Sequence, residues 1–137
     1  MKYGSIILEK KEYVTLKRLI NLSGNYKDES RKNSVLRLKT ELETAIITDE
    51  DEIPLDIIRF NSIITIESND GWSNTFQLVS PADSNYSDKK ISVLTPMGSA
   101  VIGYAKGDTI DWEFPGGVKS LKVLEVKQNN INNQYQL

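Results

Sequence analysis

Asp28 and Glu29 are adjacent acids flanked by Lys27, Arg31 and Lys32, and they are the candidate pair for chemistry in a chain of 137 residues without histidine or cysteine. Paired carboxylates can hold Mg²⁺, which demands short, near-octahedral oxygen contacts. The neighbouring cations offset the negative field such a site needs. The same two acids are equally explained by the start of a helix, where carboxylates cap free N–H groups and oppose the dipole. The missing histidine and cysteine remove disulfides, zinc–thiolate sites, cysteine nucleophiles and every histidine-dependent triad. Any catalysis must then rest on carboxylates, lysine, tyrosine or serine.

A second cluster, Leu94-Thr95-Pro96-Met97-Gly98, suits binding better than catalysis. Thr95 fits the N-cap of a short helix and Pro96 its first position. Met97 supplies an adaptable apolar contact of the kind used at interfaces. The two tryptophans, Trp72 and Trp112, read as packing residues. Lys27, Arg31 and Lys32 read as a solvated face.

The elements that must position these clusters follow from periodicity. Ile6-Ile7-Leu8 is a short apolar run fit for a strand or an anchor of the chain entry. Tyr13, Leu16, Leu19 and Ile20 repeat at helical spacing and stop at Ser23-Gly24-Asn25, giving a helix of about three turns. Val35, Leu38, Leu42, Ala45 and Ile46 form a second stripe with heptad-like spacing, capped by Asp28 or Ser30. These predict a short antiparallel helical hairpin whose second helix runs over 30–47, an arm of about 25 Å.

Asp49-Glu50-Asp51-Glu52 and Pro54 form a charged linker, and beyond it the period changes. Strands are predicted over 57–60, 63–66, 73–79, 91–94, 109–114 and 118–126. A short helix is predicted over 97–102, and Asn69-Asp70-Gly71, Gly107-Asp108 and Pro115-Gly116-Gly117 mark turns. The tail from Gln128 to Leu137 is polar and biased, and is expected to fray.

Composition sets the outer bounds. An apolar fraction of 39% and a charged fraction of 26% are those of a globular protein. No apolar run approaches the ~20 residues of a membrane span, and the first residues lack a signal-peptide core, so a cytoplasmic protein is expected. Residues 1–47 carry ten Lys/Arg against six Asp/Glu, whereas residues 48–137 carry seven against thirteen. A mildly basic part therefore precedes an acidic part, and the net charge of −2 lacks the basic footprint of a duplex-binding protein.

Residues 57–127 resemble the C-terminal, FKBP-like domain of the GreA/GreB transcription elongation factors. The residues that carry the resemblance are Ile91-Ser-Val-x-x-Pro-Met-Gly-x-Ala-x-x-Gly103, Gly107-Asp108 and Pro115-Gly116-Gly117, in this order and spacing. The Rnk-like branch of that family is similar over nearly the whole chain, on Asp51-Glu-Ile-Pro-Leu-Asp-Ile-Ile58, Asn61-Ser62 and Trp112-Glu-Phe-Pro-Gly-Gly117. The resemblance implies an RNA polymerase partner, docked at the rim of its secondary channel. In Gre factors a long hairpin then delivers two carboxylates to a magnesium ion at the active site. Here the arm is about half that reach, and the tip lacks the Gre spacing of two acids three residues apart beside a Gly-Asp-Leu segment. Leu94 also stands where Gre factors of one type carry an acid. Prolyl isomerase activity, which an FKBP-like fold brings to mind, needs a deep aromatic pocket, and the aromatic residues here are spread along the chain.

The expected architecture is α+β: a short N-terminal helical hairpin (coiled coil) over 1–50, then an FKBP-like antiparallel sheet with one short helix over 51–137. The expected function is a non-catalytic regulator that binds RNA polymerase through Leu94, Thr95, Pro96, Met97 and Gly98, with Lys27, Asp28, Glu29 and Arg31 at the hairpin tip. It would compete with Gre factors. The alternatives are transcript cleavage through Asp28 and Glu29, or an interaction module with another partner. No cofactor, metal, membrane or sequence-specific DNA contact is expected, and nucleic acid would be met only inside a polymerase complex.

Overall fold

The computed structural model describes residues 1–22, 29–114 and 117–129, excepting the side chains of 29–31, Trp112 and Phe114. The chain opens with strand β1 (Ile7–Glu9), helix α1 (Lys10–Leu22), helix α2 (Glu29–Glu43) and strand β2 (Ile46–Thr48). There follow β3 (Ile63–Ser68), β4 (Ser73–Val79), β5 (Lys90–Ser92), helix α3 (Pro96–Val101), β6 (Thr109–Phe114) and β7 (Gly117–Lys127).

The strand β1 feeds directly into α1, and Glu9 is the reason the helix starts there. Its buried carboxylate accepts from the N–H groups of Lys11 at 2.8 Å and Glu12 at 3.2 Å, two of the donors a helix leaves unpaired at its start. The α1 stripe falls as its spacing requires, with Leu16 and Ile20 buried and Tyr13 and Leu19 packed beside them. The second helix ends earlier than its stripe suggests. It stops at Glu43, and Ile46, which continues the heptad spacing, is instead exposed on β2, paired in parallel with Ile7. A β-branched run, Ile46-Ile47-Thr48, together with the waiting edge of β1, overrides the helical period.

The main sheet has the order β5-β4-β3-β7-β6. Its central pairs are antiparallel, but β5 runs parallel to β4, so the sheet is mixed and not antiparallel throughout. A parallel neighbour needs a long return path. The 3₁₀ turn Pro81–Asp83 and the loop to Lys90 provide it. Residues 57–60 do not form a strand: Ile57 makes a single bridge to Ala105, and both Ile57 and Ile58 are fully buried. Their side chains are core residues without a ladder, which apolar content alone does not distinguish from a strand. The strand predicted over 91–94 is Lys90–Ser92, because Leu94 and Thr95 already turn into α3.

One core gathers both halves of the chain. Ile6, Leu8, Leu16 and Ile20 join Val35, Leu38 and Leu42 from α2, and these pack with Ile64, Ile66, Phe76, Val101, Ile110 and Val123. The edge of β6 is met by α2, whose Arg37 Nη1 donates to the Asp111 carbonyl at 2.8 Å. Trp72 is not a core residue. It is 42% exposed, with the Lys119 ammonium 5.9 Å from its ring centre. Of the tail, residues 130–137 lie outside the described residues, but its first residue is held by side-chain bonds. Gln128 donates to the carbonyls of Leu55 at 3.1 Å and Ile57 at 2.6 Å and accepts from the Ser62 hydroxyl at 2.7 Å.

Candidate partner-binding site

Leu94 to Gly98 form the corner between β5 and α3. Thr95 is the N-cap of α3, in extended conformation, and its hydroxyl oxygen accepts from the Gly98 N–H at 3.0 Å. The same hydroxyl donates to the Ser92 carbonyl at 2.7 Å, so neither its proton nor its cap lone pair is left for a ligand. Pro96 occupies the first turn, where a missing N–H costs nothing. Gly98 is there for space. A Cβ on it would collide with the Ser92 carbonyl oxygen and sit 2.8 Å from the Val93 Cα, so α3 can lie this close to β5 only with glycine. Leu94 and Met97 are half-buried against the core, each with part of its side chain outward. The corner therefore offers a rigid, mainly apolar surface with no free nucleophile.

Beside it lies a cleft of about 250 Å³ between the corner and the preceding loop. Leu94, Thr95 and Ile91 form one side and Pro81, Ser84 and Tyr86 the other. Tyr86 is almost fully exposed at 85%. That loop closes on itself through paired backbone hydrogen bonds between Asn85 and Lys90, both at 2.9 Å, which also cover the outer edge of β5.

The hairpin-tip residues are not brought to this corner within the described part of the chain. Lys27 and Asp28 lie outside the described residues. Glu29 and Arg31 are in the first turn of α2, and only their backbone is described. Asp49, Asp51 and Glu52 bring carboxylate oxygens within 4.8 Å of one another, but all three are exposed, and Asp49 pairs with Lys10 at 3.0 Å.

Residues 53–128, which contain this corner and the following Gly107-Asp108 turn, match the family model described as "Transcription elongation factor, GreA/GreB, C-term". The chain belongs to the GreA/GreB family. Among its relatives is the regulator of nucleoside diphosphate kinase of Escherichia coli K12, 38% identical over 92 residues, spanning 66% of this chain and 68% of that protein. The transcription elongation factor GreA of Clostridium kluyveri is 31% identical over 116 residues, spanning 79% of this chain and 73% of that one. Among solved structures, a prokaryotic transcription elongation factor GreA/GreB from Nitrosomonas europaea superposes with a TM-score of 0.70 at 30% identity, covering 90% of this chain and 98% of that one. Within the GreA/GreB family the chain falls with the Rnk branch.

Three polar clusters that periodicity does not reveal tie separate segments of the chain together. Arg59 reaches Glu12 of α1 at 2.6 Å and Glu50 of the linker at 2.7 Å, with only 13% of its side chain exposed. Burial works against the charged guanidinium, but its hydrogen bonds to Glu12 and Glu50 outweigh that and raise it above its ordinary value. Burial also pushes the Glu12 carboxyl up, despite Arg59. The double contact from Nε and Nη2, at 3.1 and 2.6 Å to one oxygen, favours an ionised pair at neutral pH.

Glu41 of α2 forms the second cluster. It accepts from the Tyr104 hydroxyl at 3.2 Å and from Arg37 Nε at 3.3 Å on one oxygen, while the other is buried without a partner among the described residues. Burial raises the Glu41 carboxyl, and burial together with that carboxylate pushes Tyr104 up to about 12. In the third cluster, buried Asp108 accepts from the Lys2 N–H at 2.6 Å and the Ala105 N–H at 2.9 Å, turning the Gly107-Asp108 corner into an anchor for the N-terminus. Lys2 and Tyr3 both bond to Asp56, whose carboxyl is held below its ordinary value by these partners against the opposing effect of burial. The long-range members, Glu12–Arg59, Glu41–Tyr104 and Lys2–Asp108, are separated by 47, 63 and 106 residues, which hid them from a reading of neighbouring residues.

Among the described residues no helix is long and apolar enough to cross a membrane.

Proposed function

We propose that this chain is a transcription-related regulator that binds RNA polymerase at the rim of the secondary channel through Leu94–Gly98, without catalysis of its own. On this reading residues 51–137 are the FKBP-like docking part and residues 1–50 a coiled-coil arm. Docking there would obstruct the entrance and compete with Gre factors.

The observation that carries the non-catalytic part is the packing of α2. The helix has 15 residues, about 22 Å at the usual rise, and Val35, Leu38 and Leu42 are committed to the shared core. Only about two turns of α2 precede Val35. An arm of that free length cannot carry a carboxylate down a channel to a distant metal, and metal-assisted cleavage requires direct coordination. The apolar corner supports the docking part, since its only hydroxyl on the cap, Thr95, is consumed locally.

The test is capture of core RNA polymerase by the full chain, with and without competing Gre factor, alongside a transcript-cleavage assay on stalled complexes. Capture that a Gre factor displaces, with cleavage unchanged, is the expected result. Absence of capture under conditions where a Gre factor binds refutes docking. Faster cleavage, abolished by Asp28→Ala with Glu29→Ala, would replace this reading with that of a cleavage factor.

A further inference from the structure

A cavity of about 400 Å³ lies between α1 and α2 and shares no lining residue with the Leu94–Gly98 corner. Its floor is apolar, made by buried Ile20 and Leu42, and Tyr13 adds an aromatic wall. Four polar side chains line it as well: Lys17 and Asn21 from α1, and Lys39 and Glu43 from α2. A spacing of four residues brings each pair to one face of its helix.

None of these four has a hydrogen-bond or ion-pair partner for its side chain among the described residues. Asn21, Lys39 and Glu43 make no side-chain hydrogen bond or ion pair, and Lys17 has only its ammonium over the Tyr13 ring, 5.4 Å from the centre. Two ammonium groups from facing helices thus border an apolar floor with no anion paired to either. A site for a bare anion gains nothing from Ile20, Leu42 and Tyr13. A purely apolar ligand gains nothing from two lysines. The combination is complementary to a molecule with a flat, weakly polar part and a multiply charged part, and the volume suits a small ligand.

We propose that the cavity between α1 and α2 binds a nucleoside phosphate, its phosphates between Lys17 and Lys39 and its base against Ile20, Leu42 and Tyr13. Glu43 accepts from a ribose hydroxyl or a base amine, and Asn21 serves either a donor or an acceptor edge. A ligand held from both sides bridges α1 to α2 and stabilises the pair. The site is separate from the polymerase-docking corner and stands or falls independently of it.

The test is titration of the full chain with ATP, adenosine and tripolyphosphate by calorimetry, with methyl NMR of Ile20 and Leu42. ATP is expected to bind and to shift both methyl signals, with adenosine and tripolyphosphate each weaker by about tenfold or more, since each lacks one half of the recognition. Lys17→Ala and Lys39→Ala are each expected to weaken ATP about tenfold while the circular dichroism spectrum is retained. Affinity should fall as salt rises. No heat and no methyl shift at millimolar ATP overturns the proposal. So does tripolyphosphate binding as tightly as ATP, which would mean a plain anion site. Unchanged ATP affinity in Lys17→Ala with Lys39→Ala also overturns it.

Discussion

The β5–α3 corner and the helical pair are held in opposite ways. The corner is fixed by short-range backbone geometry: Thr95 caps α3, and a close approach leaves no room for a Cβ at Gly98. The helices are fixed by long-range contacts, an apolar stripe laid on the core and charged side chains reaching across from distant segments. Local hydrogen bonds specify a surface with little freedom, as a docking site requires. A helix pair tied down by Arg59 and Glu41 has an orientation that depends on ionisation and on a few long side chains. The difference separates a rigid candidate docking surface from a helix pair held by long side chains.

The largest expected effect breaks the corner. Gly98→Ala should cost about 3 kcal/mol, from overpacking against Ser92 and Val93, read as a lower urea midpoint. Polymerase capture should be lost with it. A cost below about 1 kcal/mol would mean that α3 can move away from β5 freely, and the corner would then be no more rigid than the helices.

Next is the ionic tie of the helices. Arg59→Met should cost about 2 kcal/mol, because Glu12 and Glu50 lose their partner and Glu12 is largely buried. Adding Glu12→Gln should recover part of that loss, measured as a double-mutant cycle. Strict additivity would show that the contact contributes nothing as a pair.

Thr95→Ala should cost about 1.5 kcal/mol through loss of the cap and of the bond to Ser92, and Thr95→Ser should restore most of it. Capture should weaken in Thr95→Ala and recover in Thr95→Ser, which ties the cap to docking.

The smallest effect at neutral pH belongs to Tyr104→Phe, about 1 kcal/mol from the lost bond to Glu41. Its pH dependence is the sharper readout. A tyrosine pushed up to about 12 in the fold, above its ordinary value near 10, favours the folded state while protonated. The unfolded chain gives up that proton first, so stability falls as pH rises from about 10 through 12. Alkaline urea titrations should show that loss in the parent and a flatter profile in Tyr104→Phe.

Much of the fold was legible where a single local rule governs. The α1 stripe, the Asn69-Asp70-Gly71 turn between β3 and β4, and Pro96 in the first turn of α3 all follow from spacing or from one residue's backbone preference. The errors came where a distant partner decided. Ile46 continued a helical stripe until the edge of β1 claimed it, and Ile57 and Ile58 carried strand composition into a buried segment without a ladder. The parallel direction of β5 could not be read from a short apolar run followed by Thr-Pro. For the candidate site, the sequence located the corner, while the cleft beside it depends on how the Pro81–Lys90 loop folds back.

By itself the sequence determined the chemistry that is out of reach, the cap and turns around Leu94–Gly98, and the family to which those residues point. Composition and local backbone preference act over a few residues, so they survive being read without a structure. The tertiary structure alone decided that α2 is committed to the sheet's core, and that Arg59, Glu41 and Asp108 tie segments far apart in sequence. Those outcomes depend on which desolvated groups meet across the fold, a property of three-dimensional packing that no run of neighbouring residues encodes.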